Sequence, residues 1–190
     1  MYSEMLSELL QALPAQLPSF LAAQRWFGGK ARQILGVEIA DAIPISSDET
    51  KAVVLVVTVK YLEGVEETYS VPLIPIAPSS SSFADSAPKL AMENGSVIGF
   101  GDALASPQFL AELLDVIKRE GEMQGENGRL RGSRTSSFSE LFPSSQATRP
   151  KPLMGEQSNS SVIYGDRLIL KFFRRIEQGD NPDLAVVYCE

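Results

Sequence analysis

The sequence predicts an α+β fold, and three observations lead to that prediction. Apolar residues recur at helical spacing in residues 6–13 and again in residues 109–117. Between these two segments, residues 51–61 (KAVVLVVTVKY) form a β-branched run that is typical of a buried strand. Because helical and strand patterns occur in separate runs, they favour α+β over a doubly wound parallel sheet.

The first 30 residues predict two short helices. Four leucines between residues 6 and 13 share one helical face, and Pro14 is expected to end that helix because proline lacks the backbone N–H donor. Pro18 fits the first turn of a second helix that runs to about Trp26. Gly28-Gly29 follows, and we expect these glycines to form the helix C-cap.

Strand patterns follow the two helices. Residues 37–43 alternate in hydrophobicity, and residues 51–61 and 67–73 flank a turn at Glu63-Gly64. Pro72 and Pro75 indicate that the last of these strands ends at, or lies on, a sheet edge. N-terminal helices packed on an antiparallel sheet are therefore the predicted architecture of the first part of the chain.

A Ser/Pro/Ala-rich connector, residues 77–89, follows the third strand. It has little apolar area to offset the entropy of ordering it. We predict that it divides the chain into residues 1–88 and residues 89–190. A solvated loop within one domain is the alternative.

The second part of the chain begins with a predicted strand at residues 97–100. Ser106-Pro107 then supplies an N-cap and a first-turn proline for a helix that runs to about Glu120. A glycine-rich stretch, residues 121–128, ends this helix, and residues 132–149 are polar and loop-like. Two strand patterns separated by a short turn complete the chain.

The composition excludes several classes of function. The chain of 190 residues is 44% hydrophobic and 22% charged, which is enough to bury a core, and its net charge of −7 argues against nucleic-acid and anionic-membrane partners. It lacks the basic start of a signal peptide and any apolar run of the roughly 20 residues that a membrane helix needs. A single cysteine, Cys189, fits a reducing compartment, so we expect a cytoplasmic protein.

The chain contains no histidine. Histidine-based catalytic triads, imidazole general bases and histidine-ligated metals are therefore excluded within these residues. Any catalysis would depend on Asp, Glu or Lys, or on residues of another chain.

The most informative segment is residues 155–175, whose sequence is GEQSNSSVIYGDRLILKFFRR. A two-residue turn at Gly165-Asp166 would pair Tyr164 with Arg167 and Ser160 with Lys171. The Lys171 ammonium would then lie beside the polar loop 156–160, whose N–H groups and side chains could bind a phosphate. Ile169 and Phe173 would line an adenine slot on the same face. An exposed hairpin with one snorkelling lysine would show the same pattern, so the residues alone leave both interpretations open.

Two segments resemble the bacterial maltokinase family, whose members are sugar kinases similar to aminoglycoside phosphotransferases. The first is the hairpin segment with the following EQGDNPD, and the second is QRWFGGK at residues 24–30, which is similar to a signature of the family's N-terminal cap domain. The two occur in the order found in the family. Ala185 departs from the pattern, because the family tends to carry an acidic residue there.

The resemblance implies a cap domain followed by the beginning of a kinase-like N-lobe. It implies that ATP, with Mg²⁺, is bound through its phosphates by Gln157, Ser158, Asn159, Ser160, Ser161 and Lys171. The family's catalytic aspartate lies in an HGD-type loop, and the metal-binding acids follow it. Because no histidine is present, that loop is not among these residues, and we assign no catalytic or metal-binding residue.

The RWFGGK segment permits two interpretations. Trp26 and Phe27 are either a buried anchor, with Arg25 and Lys30 solvated, or a docking point of the cap through Trp26 or Arg25.

Three functions remain open. The first is the N-terminal portion of an ATP:maltose 1-phosphotransferase that lacks its C-lobe, is inactive alone, and acts on a maltose-like sugar when complete. The second is a non-catalytic module that binds a partner kinase half, a trehalose-synthase-like protein or a glucan. The third is an α+β interaction domain without a ligand.

Overall fold

The structure is a computed structural model that describes residues 2–47, 51–77, 87–92, 95–134, 138, 149–153, 159–165, 168–177 and 179. Helices and antiparallel strands in these residues confirm the α+β fold. The helices are α1 (Tyr2–Ala23) and α2 (Pro107–Lys118). The strands are β1 (Ile34–Ser46), β2 (Lys51–Tyr61), β3 (Glu67–Ile76), β4 (Lys89–Ala91), β5 (Val97–Asp102), β6 (Glu122–Gln124), β7 (Arg129–Arg131), β8 (Pro150–Pro152), β9 (Asn159–Tyr164), β10 (Leu168–Phe173) and β11 (Arg175–Ile176).

A six-stranded main sheet organises the molecule, with the order β1-β2-β3-β5-β4 and β11 beside β3. Strands β10, β9 and β8 form a second sheet, and β6 and β7 form a two-stranded ribbon. The predicted boundary at residue 88 falls between β3 and β4, which belong to the same sheet. The division into two domains therefore stays a prediction, and it does not coincide with a break in the main sheet.

The N-terminal helix is continuous, so the predicted break at Pro14 and restart at Pro18 are wrong. Leu9, Leu13, Leu17 and Leu21 recur at intervals of four, and each is at most 1% exposed. Each buried leucine contributes about 1.5–3 kcal/mol. Together they offset the roughly 3 kcal/mol that each interior proline costs. Tertiary burial therefore outweighs the local preference.

The prediction that β3 lies at a sheet edge is also wrong, because β2 and β5 pair with opposite sides of this strand. Pro72 lies opposite Val54 of β2, in a part of β3 that β5 does not pair with. Pro75 lies opposite Phe100 of β5, beyond the last residue that pairs with β2. Each proline therefore occurs where β3 has a partner on one side only, and this tolerates the missing N–H donor.

Alternate side chains of strand β2 point into two different hydrophobic cores. Val53, Leu55, Val57 and Val59 belong to the cluster that packs against α1. Ala52 and Val54 belong to a second cluster, which contains the apolar face of α2 and the β9–β10 hairpin. The Tyr164 hydroxyl of β9 donates to the Leu110 carbonyl of α2 at 2.8 Å. The hairpin is therefore part of the second core.

Helix α2 begins where the sequence predicts. The Ser106 hydroxyl accepts a hydrogen bond from the Phe109 N–H at 3.3 Å, and Pro107 occupies the first turn. The glycine-rich stretch after it contains β6 and then the turn of the β6–β7 ribbon, in which the Asn127 N–H donates to the buried Asp41 carboxylate at 3.0 Å. A Cβ on Gly125 would lie 2.6 Å from that carboxylate, so the turn approaches β1 closely.

In the described part of the chain, neither helix combines the length and hydrophobicity that crossing a bilayer requires.

Gly28 and Gly29 do not form the predicted C-cap. Helix α1 ends at Ala23, neither glycine has a positive φ, and Gly28–Ala31 is a 3₁₀ helix. Glycine is needed at position 29 because there is no space for a side chain. A Cβ there would lie 2.2 Å from the Tyr61 hydroxyl and 2.7 Å from the Phe27 ring.

We expect Gly29→Ala to lower the free energy of unfolding by about 1–3 kcal/mol, because overpacking displaces these buried rings. Urea unfolding followed by circular dichroism measures the effect. The matched control is Gly36→Ala, whose Cβ would meet no atom within 4 Å and whose effect should stay within about 0.5 kcal/mol. Equal effects of the two substitutions would contradict the packing argument.

Candidate functional site

The β9–β10 hairpin has a register one residue away from the predicted one. Lys171 lies opposite Ser161, and Phe172 lies opposite Ser160, so the predicted pairing of Ser160 with Lys171 is wrong. Tyr164 pairs with Leu168, and the connection therefore contains three residues, beginning at Gly165 with a φ of 64°. A change of one residue moves Ser160 to the opposite face of the sheet.

The hairpin has two different faces, which follow from this register. The face that joins the second core, here called the core face, carries Ser160, Val162, Tyr164, Leu168, Leu170 and Phe172. The opposite face, here called the lysine face, carries Asn159, Ser161, Ile163, Ile169, Lys171 and Phe173. Lys171 therefore shares its face with Ile169 and Phe173, as the alternation predicted.

Lys171 is the exposed charged residue of the lysine face, and Ile169 beside it is 64% exposed. Asn159 is half-buried, whereas Ser161 is 2% exposed and does not present its hydroxyl to solvent. Gln157 and Ser158, the first two predicted phosphate contacts, lie outside the described residues. The structure thus brings Asn159, Ser161 and Lys171 to one face and directs Ser160 elsewhere.

Ser160 contacts a buried arginine that the sequence interpretation did not assign to the site. The Arg174 Nε donates to the Ser160 Oγ at 3.0 Å, and Arg174 Nη2 forms an ion pair with the Asp102 carboxylate at the end of β5. Arg174 is 2% exposed. Alternation from Leu168 through Leu170 and Phe172 places residue 174 on the core face, and this signal could have identified it.

The Arg174 guanidinium also lies over an aromatic ring of the RWFGGK segment. Its Cζ is 4.4 Å from the centroid of the Trp26 ring, a cation–π distance. Trp26 is 7% exposed, as the interpretation as a buried anchor predicts, whereas Arg25 and Lys30 are exposed. The two motifs that lie far apart in the sequence therefore meet in the fold.

Burial lowers the pKa of Arg174, whereas the charge and hydrogen bond of Asp102 act in the opposite direction. Neither Arg174 Nη1 nor Trp26 Nε1 has a hydrogen-bond acceptor among the residues that the structure describes. The contact therefore depends on the Asp102 ion pair, the Ser160 hydrogen bond and the ring stacking.

A second cluster surrounds Glu67 at the start of β3. Its carboxylate accepts hydrogen bonds from the hydroxyls of Tyr61 and Tyr69, both at 2.7 Å. It also forms ion pairs with Arg32 and Arg175, both at 3.2 Å. Arg175 belongs to β11, directly after the hairpin, so this cluster is a second link between the hairpin and the RWFGGK region.

The environment of Glu67 alters three ionisation equilibria. Burial by itself would raise the pKa of Glu67, but hydrogen bonds from the two tyrosines and the charges of Arg175 and Arg32 lower it below its ordinary value. Burial and the hydrogen bond to Glu67 raise the pKa of Tyr69 to about 12 and that of Tyr61 further. The ionised carboxylate is therefore favoured, and both phenols remain protonated donors.

A groove of about 710 Å³ lies between α1 and β1. Its walls combine apolar side chains with two carboxylates and include Leu6, Leu10, Pro14, Val37, Ile39, Glu38 and Glu126. None of its lining residues belongs to the hairpin.

Among the described residues, no group of three Asp, Glu, Cys or His side chains is arranged to hold a metal ion.

We expect Glu67→Gln to destabilise the fold by about 1.5–3 kcal/mol at neutral pH, because hydrogen bonds to a charged acceptor are lost. The folded-state pKa of Glu67 is depressed, so its contribution is fully present above the ordinary value of 4.5 and is lost as the pH falls through the lower folded value. Urea unfolding at a series of pH values measures the difference between wild type and variant.

Glu122→Gln, at an exposed glutamate paired with Arg129 and Arg131, is the matched control and should change stability little at any pH. A difference between wild type and Glu67→Gln that stays constant into acid would contradict the depressed pKa.

Part of the chain matches a known protein-family model. Residues 20–80 match the model of the maltokinase N-terminal cap domain. This segment contains RWFGGK and strands β1 to β3, including Trp26 and Glu67. Residues 20–80 of the chain therefore correspond to a maltokinase N-terminal cap domain.

Proposed function

We propose that this chain supplies the nucleotide side of a maltokinase-like, ATP-dependent sugar kinase. One observation carries the proposal: the exposed Lys171 projects from the middle of β10 on the face of the hairpin that does not join the core. The hairpin is also held against a maltokinase N-terminal cap domain through Trp26. A cap domain of this family and an exposed lysine on a neighbouring hairpin together support assignment of the chain to a kinase.

The proposed contact is electrostatic. A lysine ammonium is a compact point charge that suits phosphate oxygens, and Asn159 on the same face adds donor and acceptor groups. Ile169 is largely exposed and Phe173 partly so, and together they offer an apolar surface for an adenine ring. The Ser160 side chain is engaged by Arg174, so Ser160 would contribute through its backbone.

The lysine face fits the phosphate part of ATP better than it fits the metal. Mg²⁺ bound to ATP neutralises phosphate charge during phosphoryl transfer. It needs oxygen ligands such as carboxylates, and the described residues offer no cluster of them. We therefore assign nucleotide positioning to Lys171 and assign the metal ligands, like the catalytic loop, to a kinase C-lobe.

Positioning is a large part of this chemistry, because phosphoryl transfer depends mainly on orientation and charge stabilisation. Phosphoryl transfer also needs a catalytic residue. The family's catalytic aspartate follows a histidine, and these 190 residues contain none. In this proposal the catalytic loop and the site for a maltose-like acceptor come from a kinase C-lobe, and the chain by itself binds ATP without turnover.

We expect the purified chain to bind Mg-ATP, and we expect Lys171→Met to weaken that affinity about tenfold or more through loss of the charge on the phosphates. Isothermal titration calorimetry measures both constants. Lys60→Met is the matched control, because Lys60 also projects from a strand but lies on the cap, away from the hairpin, where it pairs with Glu38. Its affinity should equal that of wild type.

Two results would contradict the proposal. One is equal affinity of wild type and Lys171→Met, and the other is no binding of Mg-ATP by a chain with a native circular dichroism spectrum. Either result would favour the alternative, a non-catalytic module that binds another protein such as a kinase half or a trehalose-synthase-like enzyme. Formation of maltose 1-phosphate by the chain alone would refute the assignment of catalysis to a separate lobe.

A further inference from the structure

The proposed nucleotide-binding hairpin is joined to the cap around one buried side chain. Arg174 lies three residues after Lys171 and contacts three separate parts of the fold: Ser160 of β9, Asp102 at the end of β5, and Trp26 of the cap. No other residue in the described part of the chain is both charged at physiological pH and as little exposed.

The partners of Arg174 are themselves fixed. Asp102 uses its second carboxylate oxygen to accept from the Leu104 N–H at 3.0 Å, which holds it at the start of a 3₁₀ helix. Trp26 packs against Tyr69 of β3, with ring centroids 6.2 Å apart. The Arg174 carbonyl accepts from the Ser70 N–H of β3 at 2.7 Å. Both the side chain and the backbone of Arg174 are therefore bound to the main sheet.

This arrangement is poorly explained by stability alone. A buried ion pair recovers little net free energy after desolvation, and Arg174 additionally leaves its Nη1 group without an acceptor among the described residues. The best-attested use of such a buried polar group is to fix register. In this fold, such a group would fix the position of the hairpin relative to the main sheet, and that position determines where Lys171 lies.

We propose that Arg174 is a positioning residue, which transmits the position of the cap to Lys171 and so sets the affinity of the site for ATP. The inference rests on the proposed function, because it names the residue that holds the nucleotide-binding lysine in place. Arg174 faces the core side of the hairpin and Lys171 the other side, so Arg174 acts through the backbone and does not touch the nucleotide.

Arg174→Lys tests this proposal, because it keeps the charge but removes the planar fork that reaches Ser160 and Asp102 together. We expect Mg-ATP affinity to fall about tenfold. In a Lys171→Met background the same change should have little further effect, since Arg174 acts through Lys171. A general loss of stability would reduce affinity equally in both backgrounds.

Hydrogen exchange provides a second readout that does not need nucleotide. In Arg174→Lys, we expect faster exchange of the hairpin amides of β9 and β10 and unchanged exchange of the amides of β2. Arg129→Lys, at an exposed arginine of the β6–β7 ribbon, is the matched control and should change neither affinity nor hairpin exchange. If Arg174→Lys does not fold, Trp26→Phe weakens the same contact while keeping an apolar ring.

The outcomes separate the two proposals. If wild type binds Mg-ATP but Arg174→Lys changes neither affinity nor hairpin exchange, the positioning role is refuted and the proposed function stands. If wild type does not bind Mg-ATP, the proposed function fails and the affinity part of the positioning role fails with it. Hairpin exchange then still decides whether Arg174 holds the hairpin to the cap.

Discussion

The buried guanidinium of Arg174 is the constraint on which the relative placement of the parts depends. A charge can be removed from water only if other groups replace its solvation. Those groups come from three places that are remote in the sequence: Asp102 after β5, Ser160 in the hairpin, and the Trp26 ring after α1. Because these groups surround one side chain, the cap signature and the hairpin are in contact there.

Both faces of the main sheet are covered. Helix α1 packs on one face, whereas α2 and the β9–β10 hairpin pack on the other. The hairpin is anchored to α2 through the Tyr164 hydroxyl, and its exit is anchored to β3 through β11. Its core face is thereby fixed at both ends, whereas Ile169 and Lys171 on its lysine face are exposed.

The sequence predicted those parts of the fold that depend on local chemistry. The Ser106-Pro107 helix start and the long β2 strand are set by capping and β-branching, and the structure confirms both. The continuity of α1 through Pro14 was not predictable, because it depends on burial against a sheet built from distant residues. The hairpin register was missed because it depends on how the core face packs, which turn residues alone do not determine.

Two different strands pair along one edge of β3, and this affects whether the cap can be prepared as a separate fragment. The residues that match the family model, 20–80, include β3 but exclude β5 and β11, which pair along its second edge. They also exclude most of α1, with Leu9, Leu13 and Leu17. Such a piece would expose both an unpaired strand edge and the apolar face of the sheet, the two features that promote self-association. The recognisable unit of sequence is thus smaller than the unit that folds.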